Sequence, residues 1–352
     1  MSPVLRRSSS SDSDSESQLS DCSSSSSCGD EDEFNKRIAP NWCAHRLIIE
    51  RCGFRLDTRR DVKLWYQHYW ESLISQGYTV TKDLPGYTRA CNGSDDNELC
   101  KDAGLVSVKI EVMVPALTLL QPENLFRGTR CKDGTKVVIK AVHLRSREYD
   151  VVRYLSSPSL RNDPRNHLIP ILDLIEVPKD DLVFMVMEEW SSHLIPETPC
   201  TLRLYLGALR QCIEHAVFMH SHHIAHLDIS IRNMLTDYRS NYAYIDFELA
   251  RRFDGIHHPR IRGCRGTEVP PELEQGGVGD PYKTDVWALG RMILRACSLT
   301  GYHVPELAAL VGAMLNPNFE QRPTAAVALK SFDTIMSCIP EARLRMSSGC
   351  NH

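Results

Sequence analysis

Four things are missing from this 352-residue chain. It has no run of the ~18–20 apolar residues that a membrane-spanning helix needs; the longest candidate is Leu307–Leu315. It has no apolar core near its N-terminus, so a secretory leader is not expected. It has no excess of basic charge. The formal net charge is -4, which argues against a strongly basic nucleic-acid binder. Finally, its 13 cysteines include no C-x-x-C pair, and their number is odd. Neither a disulfide framework nor a zinc site is expected, and the thiols suit the reducing cytoplasm or nucleus. Neither a nucleic-acid nor a membrane partner follows from this composition.

What remains is ordinary globular material, 42% apolar and 24% charged. At roughly 150 residues per domain, the length allows about two domains. Charge is unevenly spread. Residues 1–33 hold eight acids against Arg6 and Arg7, and the rest of the chain is close to neutral. The segment is serine and acid with almost nothing to bury, so disorder is expected. It reads as a solvated tail or as a phospho-acceptor cluster, since Ser13, Ser15 and Ser20 each adjoin acids.

Residues 34–105 form an extension of unknown role. Within it Val62, Leu64, Trp65, Tyr69 and Leu73 recur near helical spacing, which points to a buried helix face. From residue 106 the pattern changes to short β-like runs: Val106–Val114, Lys136–Val142, Leu168–Val177 and Leu182–Glu188. A helix is expected over Ser146–Ser156. After Trp190 helical periodicity dominates. One helix carries Leu206, Leu209, Ile213 and Val217; another starts at Asp285; a third follows Thr324 as N-cap. A small β-rich lobe (106–190) thus precedes a larger helical lobe (191–337), with a C-terminal tail (338–352). The fold class is α+β.

The chemistry concentrates in five segments. Val137-Val-Ile-Lys140 ends a β-branched run in a lysine. His226-Leu-Asp-Ile-Ser-Ile-Arg-Asn233 places an acid and an amide five residues apart. Tyr244-Ile-Asp-Phe247 reaches another acid from a hydrophobic strand. Gly266-Thr-Glu-Val-Pro-Pro-Glu272 and Asp285-Val-Trp-Ala-Leu-Gly290 follow. In this order they are far more specific than any one alone. His220, His222, His223 and His226 are crowded, but read as packing and helix-end residues and not as metal ligands.

These segments resemble the motif set of the eukaryotic protein kinases. More narrowly, Leu160–Asp173 and Phe218–Asp228 resemble the kinase-domain proteins expanded in mushroom-forming (basidiomycete) fungi. The resemblance implies a two-lobed protein kinase-like fold that uses ATP and Mg2+ on a protein substrate. It implies Lys140 on the α/β-phosphates, paired with Glu148, and Asp228 as the residue that orients the acceptor hydroxyl and takes its proton. Asn233 and Asp246 would hold magnesium. Gly128 would belong to the phosphate loop, and Met187, Glu188, Glu189 and Trp190 would face the adenine. His226, Phe247, Asp285 and the pair Glu272–Arg322 would be structural.

The chain departs from the family pattern in four places. Only Gly128 stands where the family has G-x-G-x-x-G. Glu248 replaces the glycine after Asp-Phe, Leu227 replaces the arginine before the catalytic aspartate, and Ser230 replaces the lysine after it. Arg232 stands where many tyrosine kinases carry a substituting arginine, while Gly266–Thr267 matches the Ser/Thr-type substrate loop. Lys140 and Glu148 are eight residues apart, which shortens the helix bearing Glu148. The interval from Asp285 to Arg322 leaves little room for a substrate-docking helix. The favoured expectation is a Ser/Thr protein kinase. The alternatives are a pseudokinase scaffold and a small-molecule phosphotransferase; the Glu272–Arg322 pair and the long activation segment argue against the latter. Arg251–Arg265 holds five arginines against Asp254. Either this segment and the acidic tail both face solvent, or the tail docks on the arginines.

Overall fold

The structure, a computed structural model, describes residues 33–75, 77, 79–80, 84–103, 122–191, 201–237, 239–263 and 265–346. The strand expected over Val106–Val114, the acidic tail up to residue 32 with its serines, and the lobe limit at residue 106 lie outside the described residues. The elements are mixed helix and sheet in two lobes. No described helix is long and apolar enough to cross a membrane.

The N-terminal lobe is a five-stranded antiparallel sheet. Its strands are β1 Phe54–Leu56, β2 Leu125–Arg130, β3 Lys136–His143, β4 Ile171–Val177 and β5 Leu182–Glu188, in the order β1-β2-β3-β5-β4. Alternation along each strand sends successive side chains to opposite faces. Phe184 and Val186 join Val137, Ile139 and Ala141 on the face covered by helix α1, Trp42–Arg51. Trp42 of that helix packs 5.1 Å from Phe126 and 5.4 Å from Phe184. Val183 and Met185 turn the other way, toward helix α4, Arg147–Leu155. Ser146 caps α4 by accepting from the Tyr149 N–H. The nine-residue helix begins one residue before Glu148.

The edge strand β1 comes from the stretch read as an extension, so residues 54–56 share the sheet that carries Lys140. The chain between β1 and β2 includes helices α2 (Arg59–Ser75) and α3 (Pro85–Cys91), which pack together around their own apolar cluster. The buried face of α2 is Val62, Tyr66 and Trp70, one residue every helical turn. Leu64, expected on that face, is 46% exposed.

The C-terminal lobe is built on α5, Leu202–Ser221, whose Leu206, Leu209, Ile213 and Phe218 are all buried. Two short hairpin-like pairs follow: β6 (Ile224–Ala225) with β9 (Arg251–Arg252), and β7 (Met234–Thr236) with β8 (Tyr242–Tyr244). The remaining helices are α6 (Pro271–Glu274), α7 (Pro281–Thr300), α8 (Ala308–Met314), α9 (Ala325–Cys338) and α10 (Glu341–Leu344). Asp280, not Asp285, caps α7, accepting from the N–H groups of Tyr282 and Lys283. Asp285 lies in the next turn, fully buried. Thr324 caps α9 as expected. Between Gly301 and Asn316 the only helical pieces are the turn Pro305–Leu307 and the seven-residue α8. Of the stretch 338–352, expected to be a tail, the described part packs on this lobe through Ile339 and Leu344, because both side chains find room in the main core.

Candidate active site

A cleft of about 420 Å³ opens between the lobes. Val138 and Lys140 reach it from β3, Met187 and Trp190 from the end of β5, and Asp246 and Glu248 from the segment after β8. Lys140 is 7% exposed and carries three carboxylate contacts. Its Nζ lies 2.8 Å from Glu148 Oε1, 2.8 Å from Asp246 Oδ1 and 3.1 Å from Glu248 Oε1. Burial alone would lower the lysine's pKa, but the three acids outweigh it and raise it above the usual value. Burial dominates for Glu148 and, with Asp246 and Glu248 nearby, pushes it up to about 6 against the pull of Lys140. Burial opposes ionisation of Asp246 too, yet Lys140 and then Arg37 hold that acid below its ordinary range. Glu148 is also fixed by the Phe247 N–H, which donates to its Oε1 at 3.3 Å. These contacts tie β3, α4 and the segment after β8 into one wall.

The adjoining loop presents Asp228 and Asn233. Asn233 Nδ2 donates to Asp228 Oδ2 and to the Asp228 carbonyl, both at 2.9 Å. The Ile245 N–H donates to the Asn233 carbonyl at 3.1 Å, which links this loop to Asp246. Thr267 N–H donates to Asp228 Oδ1 at 2.6 Å. The loop is held from beneath by Asp285, whose two oxygens accept the N–H groups of His226 and Leu227 at 2.8 Å each. At this site two of the left-handed backbone positions are not glycine, Leu227 (φ 63°) and Asp246 (φ 64°). Such geometry costs about 1–3 kcal/mol at a residue like leucine and persists only where neighbours enforce it. At Leu227 the Asp285 bonds do so.

His226 is fully buried, its ring tilted against Phe247 at 4.7 Å, and burial lowers its pKa, so it is a neutral packing residue. Glu272 grips Arg322 through both carboxylate oxygens at 2.7 and 2.6 Å. The Arg322 side chain is completely buried, with its guanidinium 4.8 Å from the centre of the Trp287 ring.

Three expected site residues are placed elsewhere. Gly128 does not line the cleft. It pairs with Leu56 in the sheet, and a Cβ there would meet the Arg55 carbonyl oxygen at 2.6 Å, so the glycine serves strand packing. Glu189 does not line it either; its carboxylate is ion-paired with Arg127, which does. Arg232 is exposed and forms no ion pair among the described residues, so it does not reach Asp228. Met187, Glu188 and Trp190 do line the cleft. Sequence reasoning missed Arg37, whose Nε lies 3.2 Å from Glu248 Oε1 at the cleft mouth. No motif surrounds Arg37, and its partner is over 200 residues away in the chain.

No protein-family model matches the chain. Curated relatives include mouse sperm motility kinase Z, 24% identical over 54% of this chain and 44% of its own length. Human mitogen-activated protein kinase kinase kinase 6 is 27% identical over 59% of this chain and 16% of its own length. The probable serine/threonine-protein kinase glkA of Dictyostelium discoideum is 25% identical over 45% and 34%. The chain therefore spans less than half the length of these relatives. Their likeness, on a two-lobed fold with this strand order, supports a protein kinase-like domain in this chain.

Proposed function

We propose that the protein transfers the γ-phosphoryl group of ATP to hydroxyl groups of protein substrates, with Ser/Thr as the favoured acceptors and magnesium as the ion. The observation that supports this most is the meeting of Lys140, Glu148 and Asp246 beside a loop that sets Asp228 and Asn233 together. Phosphoryl transfer demands positioning and charge neutralisation more than covalent help from the protein. In this reading Lys140 meets the α/β-phosphates, and Val138, Met187 and Trp190 enclose the base. Asp246 and Asn233 would hold magnesium. The donor set fits, because both offer hard oxygens and Asn233 spends its amide N–H on Asp228, leaving its Oδ1 free to coordinate. When bound, the ion neutralises phosphate charge. Asp228 orients the acceptor hydroxyl and takes its proton as the new P–O bond forms. The Ser/Thr preference is supported by Thr267 against Asp228 and by the exposed placing of Arg232. The likeness to the basidiomycete kinase-domain proteins is part of the same proposal, as is a cytoplasmic or nuclear location. The cysteines that the structure describes carry free thiols.

A pseudokinase scaffold is the second reading. Glu248 favours it, because its carboxylate occupies Lys140 where phosphate would bind, and so does the use of Gly128 within the sheet. Labelled ATP offered with a peptide library, with magnesium and then manganese, separates the two. Serine or threonine peptides labelled above the background of a catalytically dead variant support the enzyme. Labelling equal to that background leaves the scaffold.

A further inference from the structure

Arg37 belongs to a short segment that runs along the start of α4. Phe34 packs 4.6 Å from the His143 ring, with the Arg145 guanidinium 4.8 Å above Phe34. Asn35 Oδ1 accepts the Arg147 N–H at 2.9 Å. These anchors bring Arg37 to the mouth of the cleft, where it is one of the lining residues. Its Nε reaches both Glu248 oxygens, at 3.2 and 3.4 Å, and its Nη2 lies 4.0 Å from Asp246 Oδ2. Lys140 touches the same Glu248 Oε1, so one carboxylate oxygen stands between two cations. Asn124, 3% exposed, lines the same cleft with its Oδ1 lacking a hydrogen-bond partner. Such a buried polar atom is costly unless a ligand or water satisfies it.

Among the described residues, the phosphate end of this cleft offers few donors. Gly128 is committed to strand pairing, and Glu248 adds a third acid beside Glu148 and Asp246. A triphosphate entering here needs positive charge beyond Lys140. A guanidinium suits that need, since it stays charged and presents a planar fork of donors to phosphate oxygens. The Arg37 side chain is 59% exposed, so it has room to turn from a carboxylate to a phosphate.

We propose that Arg37 is a phosphate-binding residue of the nucleotide site, held in waiting by Glu248 and transferred to the terminal phosphates when ATP binds. The proposal rests on the kinase reading of the cleft, and binding, not turnover, tests it. Full-length protein is titrated calorimetrically with ATP, ADP and adenosine in the presence of magnesium. Arg37→Ala should weaken ATP by about ten- to a hundredfold, the loss of a charge-assisted hydrogen bond, while adenosine affinity is unchanged. Arg37→Lys should recover part of the loss. The same substitution in a Glu248→Gln background must still weaken ATP, because the contact is with phosphate. If the loss vanishes there, Arg37 merely screens Glu248 and the proposal is overturned. It is overturned equally if Arg37→Ala binds ATP as well as or better than wild type, or if adenosine weakens in parallel. Wild-type protein that binds neither ATP nor adenosine would instead bring down the nucleotide reading of the cleft, and this proposal with it.

Discussion

Glu248 is the residue that most sets this site apart. It puts a Cβ and a negative charge where the resemblance expects glycine, and its carboxylate holds both Lys140 and Arg37. Glu248→Gln should free both cations and bind magnesium–ATP roughly tenfold more tightly, a change of about 1.4 kcal/mol. Calorimetry showing equal or weaker binding would mean that the acid assists the nucleotide site. Asp285 acts through the two residues that precede Asp228. Its removal in Asp285→Ala strands two buried N–H groups and releases the strained turn at Leu227. A stability loss of about 2–5 kcal/mol is expected by urea denaturation, and a change under about 0.5 kcal/mol would show that water or repacking replaces the carboxylate. The resemblance marked Asp285 as structural, but periodicity set it at the start of its helix; Asp280 takes that place instead. That Lys140, Glu148 and Asp246 meet, and that Asp228 sits against Asn233, was legible because each lies in a short segment whose internal spacing is set by local backbone geometry. Arg37 and the Glu189–Arg127 pair were not, since tertiary packing alone decides which partner a long flexible side chain takes.

At the level of elements, Gly128, expected in a phosphate loop, lies instead in the paired edge of the sheet. β1 is three residues long, too short for alternation to announce it, and its approach to β2 depends on Gly128. Gly128→Ala forces the Arg55 backbone away and should destabilise the protein by about 1–3 kcal/mol, as overpacking does, with ATP affinity little changed. Affinity falling together with stability would return Gly128 to the nucleotide site. The helical lobe has its own fixed point in Glu272–Arg322, which joins α6 to the segment ahead of α9. Glu272→Ala leaves the buried Arg322 charge without its partner and should cost about 3–5 kcal/mol, measurable by the same denaturation. Much of the helical pattern was readable: α5 and α9 follow their apolar periodicity, and α9 its cap Thr324. The face of α2 was misjudged by the choice of Leu64. Large apolar side chains sit on more than one side of that helix, and only packing against α3 selects Val62, Tyr66 and Trp70.

Across the whole molecule, charge is divided between an acidic N-terminal segment and the arginines of 251–265. Several of those arginines already have partners within the fold, among them Arg252 with Asp150 and Asp254, and Arg260 with Asp280 and Glu320. Docking of the tail there must compete with these pairs. Removing residues 1–33 should therefore leave peptide phosphorylation unchanged at low as well as high salt. A salt-sensitive change in turnover would restore the docking idea, because screening shortens the reach of charge from about 10 Å at 0.1 M to 3 Å at 1 M. The two-lobed architecture was legible from the order of β-like and helical runs, whereas the part played by residues 34–103 was not, since nothing local marks a strand or an arginine as belonging to a distant sheet or cleft. The central claim is that Asp228 serves as the base of a phosphoryl transfer in this cleft. It is tested most directly by comparing wild type and Asp228→Asn for transfer from labelled ATP to serine and threonine peptides, with ATP affinity measured on the same samples. The account predicts transfer reduced by about 10²–10⁴-fold with ATP binding preserved; equal transfer by the two proteins, at any level, would contradict it.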